Sequence, residues 1–261
     1  MILTFLGTGT SFGVPQIGCD CAVCRSSDPR DKRTRVGALV ESNGTRLLVD
    51  TPPELRLQLI SAGIADIDAV LFTHDHADHT HGIDDLRSIS MHRTSPLRMY
   101  GPAETLLGLR RKFPYIFDDA IRPLPGTSKP EGLACVIENG AAVTIDGVEV
   151  LPFDVPHGPM RVFGYRIGAL GYVTDAKVLP DDAVSALRRE RGVKVLVLNA
   201  LLRGEHPTHL SLGQAIETAR RVGAERTFLT HLTHETAHAD LDAELPDGIF
   251  PAFDGLRVTI D

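Results

Sequence analysis

Six consecutive residues, His74 to His79, carry three imidazoles and two carboxylates, directly after the apolar run Ala69-Val70-Leu71-Phe72. A strand that ends in H-x-H-x-D-H delivers several metal-ligating groups to one point in space. In an extended or turning segment His74 and His76, two apart, point the same way. Asp78 and His79 follow around the turn and can face a second ion. No packing role needs this composition, because buried imidazole and carboxylate without partners cost several kcal/mol. A fold that accepts the segment must bring other polar strand ends to the same place. A solvated acidic loop that happens to hold histidines is the weaker account.

The rest of the chain permits such a fold. Its 261 residues suffice for one large α/β domain or two small ones, and a chain of this size buries roughly three quarters of its unfolded surface. The net charge is −7, and no Lys/Arg-rich run stands out beyond the short mixed stretch Arg30 to Arg35. A nucleic-acid surface draws its affinity mainly from phosphate neutralisation, so nucleic acid is not the expected partner. The apolar start, Met1 to Leu6, is short, lacks a basic region and runs into Gly7 and Gly9, which reads as a first strand and not a signal peptide. No apolar run reaches the length of a membrane span. The expectation is a soluble, cytoplasmic protein with no membrane partner. Of the four cysteines, Cys19, Cys21 and Cys24 lie too close together for easy disulfide pairing. Their spacing suits a metal in a reducing compartment.

Strand-like runs alternate with helical ones along both halves. Strands are expected at 2–6, 37–41, 46–49, 69–72, 97–100, 143–145, 148–153, 162–167, 172–174, 194–198, 227–229 and 256–260. Asn43-Gly44 and Asp146-Gly147 give hairpin signals. Helices are expected at 53–61, 102–112, 180–190 and 211–222. In the last, Leu212, Ala215, Ile216, Ala219 and Val222 trace one apolar face, with Ser211 as N-cap and Gly223 as C-cap. The Pro- and Gly-rich stretch 113–140 reads as a loop-rich insertion or lid, with a strand near Cys135–Ile137. Cys135 itself reads as a small core residue. The simplest organisation is a single α/β domain over 1–261, with mixed sheets covered by helices.

Further metal-capable residues end later strands: His157 after Phe153–Pro156, Asp175 after Tyr172–Thr174, and His231 after Phe228–Thr230. That is where an α/β architecture gathers its site. Alone, each is more often a surface, turn or capping residue. Together with His74 to His79 they supply the remaining ligands of a two-metal site. Cys19-Asp20-Cys21-Ala22-Val23-Cys24 is a second signature, since three soft thiolates on a short loop are strong zinc ligands and a structural zinc needs a fourth. His234, three residues after His231, is the candidate. His81, His92, His206 and His238 read as exposed or supporting residues, and Arg87 as part of a solvated helix face.

The segments Thr73–His79, Pro156-His157-Gly158, Thr174-Asp175 and Thr230-His231 resemble, in order, the motifs of the metallo-β-lactamase fold superfamily. The resemblance implies an αββα four-layer sandwich with two mixed β-sheets flanked by helices. It implies that His74, His76 and His157 hold one ion, that Asp78, His79 and His231 hold another, and that Asp175 bridges them. Asp50, ending the strand Leu47-Leu48-Val49, stands where the family often orients the site from behind the ligands, although a plain turn Asp fits as well. Ligand type does not choose among Zn, Mn, Fe and Ni.

Gly7-Thr8-Gly9-Thr10-Ser11, Gly13-Val14-Pro15 and Gly18-Cys19-Asp20-Cys21 with Cys24 resemble the PhnP group, whose namesake is a phosphodiesterase that opens a cyclic ribosyl phosphate. That resemblance implies two divalent ions (Zn or Mn) and one structural Zn held with His234. It also implies His209 as an extra active-site residue and a homodimer. Asp78 and His209 are then the catalytic candidates. A small, cyclic phosphate diester opened by a metal-bridging hydroxide is the leading reading. The alternatives are a ribonuclease Z-like nuclease, a thioester or lactone hydrolase, and a biosynthetic protein resembling the pyrroloquinoline-quinone pathway member of the fold. The 113–140 segment holds few cations, essentially Arg122 and Lys129, which disfavours the nuclease.

Overall fold

The computed structural model describes all of residues 1–261. The first half of the chain forms β1 (Ile2–Gly7), β2 (Gly37–Ser42), β3 (Thr45–Val49), β4 (Ala69–Leu71), β5 (Leu97–Gly101) and β6 (Gly132–Val136). The second half forms β7 (Val143–Ile145), β8 (Val148–His157), β9 (Met160–Ile167), β10 (Leu170–Val173), β11 (Val195–Asn199), β12 (Arg226–Thr230), β13 (Ile249–Pro251) and β14 (Arg257–Thr259). They make two seven-stranded sheets, β14-β1-β2-β3-β4-β5-β6 and β13-β12-β11-β10-β9-β8-β7. Each sheet is mixed in the same way. Strands β14, β1, β2 and β3 pair antiparallel and β3 to β6 pair parallel. In the second sheet β7 to β10 pair antiparallel and β10 to β13 pair parallel.

Side-chain alternation makes the layers. Leu47 and Val49 face the space between the sheets, where they meet Tyr165, Val195, Val197 and Phe228. Leu48, between them, faces outward onto Leu55, Leu59, Leu106 and Leu109 of the helices Leu55–Ala62 and Ala103–Lys112. In the second sheet Leu196 and Leu198 face Ala183, Leu187, Ala215 and Ala219 of the helices Asp181–Arg188 and Leu212–Val222. Central strands buried on both faces explain runs such as Val195-Leu196-Val197-Leu198, apolar without a break. Each such side chain contributes roughly 1.5–3 kcal/mol by leaving water. The result is the αββα sandwich.

Local chemistry agrees with the expected boundaries. Ser211 Oγ accepts from Gln214 N while Gln214 Oε1 accepts from Ser211 N, and Gly223 closes the helix in the left-handed region. Asn43-Gly44 and Asp146-Gly147 both have two positive φ values, as tight hairpins require.

Three features depart from the sequence reading. Strand β13 and the helix His238–Glu244 lack any strong local signal, and form because the end of β12 offers a parallel edge and an apolar groove. The segment 113–140 carries the expected strand near Cys135 as β6, the edge strand of the first sheet, but adds the helix Pro114–Phe117, which was not expected. Cys135 lies on that edge, half-buried and not in the core, with its thiol directed at Leu133 O, 3.5 Å away. No helix is long and apolar enough to cross a membrane.

Candidate metal centres

The parallel strands of both sheets point their C-terminal ends at one cleft. At three of these ends the first residue is polar and has positive φ: Asp50 after β3 (+62°), Asp175 shortly after β10 (+58°) and His231 after β12 (+58°). Non-glycine residues adopt this conformation at a cost of about 1–3 kcal/mol and hold it only when the surroundings over-determine it. The kink turns each side chain sideways into the cleft.

Around Asp175 the ring nitrogens converge. Its Oδ2 lies 3.7 Å from His74 Nε2, 3.5 Å from His79 Nε2, 3.9 Å from His157 Nε2 and 3.3 Å from His209 Nε2, and its Oδ1 lies 3.4 Å from His231 Nε2. Asp78 Oδ2 is 3.5 Å from His79 Nε2 and 3.8 Å from His231 Nε2. Two ligand-like groups result, His74/His76/His157/Asp175 and Asp78/His79/His231. A third group, Asp175/His209/His231, places His209 beside them.

The protons of these imidazoles are directed away from the cleft. His79 Nδ1 donates to Asp50 Oδ2 at 2.7 Å. Asp50 is itself held by Thr73 N and Thr73 Oγ1, both 2.8 Å. With its hydroxyl given to Asp50, Thr73 Oγ1 accepts from His74 Nδ1 at 2.9 Å. His157 Nδ1 donates to Thr208 O at 3.1 Å. Fixing the outer nitrogen in this way leaves the inner one bare, the arrangement of metal-ligating histidines. The inner nitrogens have no other use: His79 Nε2 and His231 Nε2 are buried without a hydrogen-bond partner. His74 Nε2 and His76 Nδ1 face each other at 2.9 Å. At that distance the two nitrogens are close enough to ligate one ion.

The charges agree with cation binding. Two carboxylates, Asp78 and Asp175, line the cleft and a third, Asp50, lies behind His79, and none of the three is paired to a Lys or Arg. Burial opposes the charged form of His79, yet Asp175, Asp78 and Asp50 together hold it well above the usual imidazole range, so a positive charge at Nε2, whether a proton or a metal ion, is favoured there. Burial likewise opposes ionisation of Asp175, but His231 and His79 keep it well below the usual carboxylate range. For His74, burial and then the charge of His79 push the imidazole well down, toward the neutral form that ligates. Residues and charges fit divalent ions.

The cysteine signature forms a second cluster. Cys19 Sγ and Cys21 Sγ each lie 3.3 Å from His234 Nδ1, and Cys24 joins the same group. The NH of Cys24 and then His234 bring the Cys21 thiol down to about 6, while burial raises Cys24. A tight S₃N set with thiolates favoured by local donors suits zinc.

His209 does reach the cleft, and Arg87 is taken up by Asp84 and the Ser128 carbonyl. His81 and His92 are exposed as expected. The other two histidines are supporting residues. His238 is buried, its NH bound to Asp31 at 2.7 Å and its ring edge-on to Phe253, because the helix it starts packs under the cysteine loop. His206 is half-buried, its Nδ1 3.2 Å from His209 Nδ1. Sequence reasoning also missed Asn199, whose side chain accepts from Ala176 N (2.8 Å) and donates to Ala176 O (3.1 Å), locking the turn that carries Asp175. An amide ending the apolar run of β11 was the available signal. The Gly7–Thr10 turn is wedged against the cleft: Leu232 N donates to Thr8 O at 2.9 Å, and a Cβ on Gly9 would come within 2.6 Å of Arg33 O.

Residues 45–232 match the family model described as the beta-lactamase superfamily domain. A solved structure of a diphosphatase from the PhnP family is 37% identical, with a TM-score of 0.90 over 100% of this chain and 98% of that one. An octanoyltransferase of Porphyromonas gingivalis is 39% identical over 262 residues and 98% of this chain; the chain spans about half, 51%, of that relative's length. A ribonuclease Z of Methanopyrus kandleri is 26% identical over 311 residues, covering 100% of this chain and 98% of the relative.

Proposed function

This chain belongs to the metallo-β-lactamase fold superfamily and to its PhnP family, and on that footing we propose that it is a two-ion hydrolase of small phosphate diesters, cyclic ones first. A metal-dependent hydrolase is what the family gives. The phosphodiester is the finer step. It is carried by one observation, the Cys19/Cys21/Cys24/His234 cluster beside the cleft in a chain 37% identical to a PhnP-family diphosphatase.

His74, His76 and His157 would hold one divalent ion and Asp78, His79 and His231 the other, with Asp175 between. Such ions supply a nucleophilic water at neutral pH and neutralise charge growing on phosphoryl oxygens. Asp50 keeps the His79 proton on Nδ1 and so keeps Nε2 free for ligation. Thr208 O does the same for His157. His209, held over Asp175 between the rings of His157 and His231, is the group to bind a phosphoryl oxygen and to give a proton from Nε2 to the leaving oxygen. The substrate in this reading is a small anionic ester, in keeping with a chain of net charge −7. In the 113–140 segment, Lys129 is bound to Asp118 O.

A hydrolase panel with Mn and Zn tests this. It compares bis(p-nitrophenyl) phosphate, a cyclic ribosyl phosphate, cyclic nucleotides, a nucleoside diphosphate ester, an octanoyl thioester and a lactone. The proposal expects phosphate esters to dominate kcat/KM. The thioester is the second reading, favoured by the octanoyltransferase relative, and thioester turnover above every phosphate would replace the first reading with it.

A further inference from the structure

Arg33 has no place in the chemistry above, yet its side chain is wholly buried. Its backbone pairs with Val14 in both directions at 2.8 Å, and Val14 packs on Cys24 inside the cysteine loop. Its guanidinium reaches the other way. Nη1 donates to Thr233 O; Nη2 donates to Thr236 O at 2.9 Å and to Asp31 Oδ1 at 3.1 Å. Asp31 Oδ1 in turn accepts from His238 N at 2.7 Å. These contacts fall on the segment 231–238, which carries His231 of the cleft and His234 of the cysteine cluster. The carbonyls that Arg33 grips bracket His234 and begin two residues after His231.

His231 needs such a grip. It has positive φ, and neither of its ring nitrogens has a hydrogen-bond partner. Every other cleft imidazole that ends at Asp175 is aimed through its outer nitrogen: His79 by Asp50, His74 by Thr73, His157 by Thr208 O and His209 by Thr208 Oγ1. His231 alone is aimed through its backbone. The backbone anchors are Leu232 N on Thr8 O, and the Arg33 guanidinium just beyond.

We propose that Arg33 is the positioning residue that sets His231, and that it does so independently of any metal in the cysteine cluster. Resting on the two-ion reading above, this assigns the orienting role that carboxylates and carbonyls play for the other histidines to a buried cation acting on main-chain carbonyls. An arginine suits it because a planar fork can serve two carbonyls and a carboxylate at once, which an ammonium cannot do in the same geometry.

The test uses the full-length chain as wild type, Arg33→Met, Arg33→Lys and Cys21→Ser. Each is stripped of metal and titrated with Co(II), whose thiolate charge-transfer band reports the cysteine cluster separately from the His/Asp centre. Bound metal is counted by mass spectrometry and folding is followed by circular dichroism. Wild type should bind two ions in the His/Asp centre and one at the thiolates; fewer than two in the His/Asp centre sinks the two-ion reading itself, before any variant is considered. Arg33→Met should weaken the second His/Asp ion by about 10- to 100-fold, the usual effect of removing a residue that orients a ligand, and keep the first. Arg33→Lys should restore part of that loss. Cys21→Ser should lose the charge-transfer band and keep both His/Asp ions. A folded Arg33→Met with wild-type affinity at every site overturns the proposal. So does Cys21→Ser losing the second ion as fully as Arg33→Met. If Arg33→Met does not fold, Arg33→Lys and Asp31→Asn decide: wild-type affinity for the second ion in both overturns the proposal.

Discussion

The two sheets deliver similar groups to the cleft by different means. The first sheet sends four candidate ligands from one short segment after β4, His74 and His76 from a loop and Asp78 and His79 from the one-turn helix Ala77–Thr80, with Asp50 from the neighbouring β3 end behind them. The second sheet sends one at a time: His157 from the end of β8, Asp175 from beyond β10, His209 from the loop after β11, and His231 from the end of β12. In the first sheet most of the geometry is local, since a six-residue segment can be strained only so far. In the second it depends on strand register, on the positive-φ kinks at Asp175 and His231, and on distant braces such as Asn199 and Arg33. The compact half should be weakened by loss of a brace such as Asp50 and fail on loss of a ligand. The dispersed half should be sensitive to both.

The sharpest break of that contrast is Asp175→Ala, because Asp175 is the point where the two halves meet. Phosphodiester kcat/KM should fall by well over about 100-fold, with loss of metal from both groups by mass spectrometry; retention of either ion at wild-type affinity would show that the halves are independent. Next come Asp78→Ala and His79→Ala, which should abolish turnover in chains that stay folded by circular dichroism. Full activity in either would remove the compact loop from the site. A smaller effect belongs to Asp50→Asn. The amide no longer accepts with the same charge from His79 Nδ1, and activity should drop about 10- to 100-fold with little change in melting temperature. An unchanged rate would demote Asp50 to a turn residue.

Cys21→Ser moves stability more than chemistry. Losing a thiolate from the S₃N cluster should lower the melting temperature by something of order 10 °C while turnover per bound active-site ion stays within a few-fold; an unchanged melting temperature would argue against a structural metal. The smallest effect is expected at Cys135, half-buried on the edge strand β6, where Cys135→Ser should change stability by no more than about 0.5 kcal/mol in a denaturant titration. A larger loss would restore the core reading that its edge position removed.

The histidine loop was legible because its meaning is local: no packing role needs three imidazoles and two carboxylates in six residues. The cysteine loop was legible for the same reason, and the hairpins and the capped helix Leu212–Val222 follow from single-residue φ preferences and a side-chain cap. His157, Asp175 and His231 were legible only as a set, in the chain order of a known fold. Arg33 and Asp31 gave no warning, and Asn199 only an amide at the end of an apolar run, since a cation, a carboxylate and an amide in such positions acquire their roles only from partners 23 to 207 residues away. Edge position worked the same way for Cys135, and packing beneath the cysteine loop for His238.

By itself, then, the sequence determined the kinds of chemistry available, because donor types and short-range spacing are written residue by residue: two loops dense in metal-capable groups, strands apolar on both faces, and turns where φ must be positive. Only the tertiary structure decided which nitrogens are free, since a ring nitrogen is made available by what binds the other one. Asp50, Thr73 and Thr208 do that for four histidines of the cleft, His79, His74, His157 and His209. His231 is placed by its main chain, and the groups that hold it come from strands and loops about two hundred residues earlier in the chain.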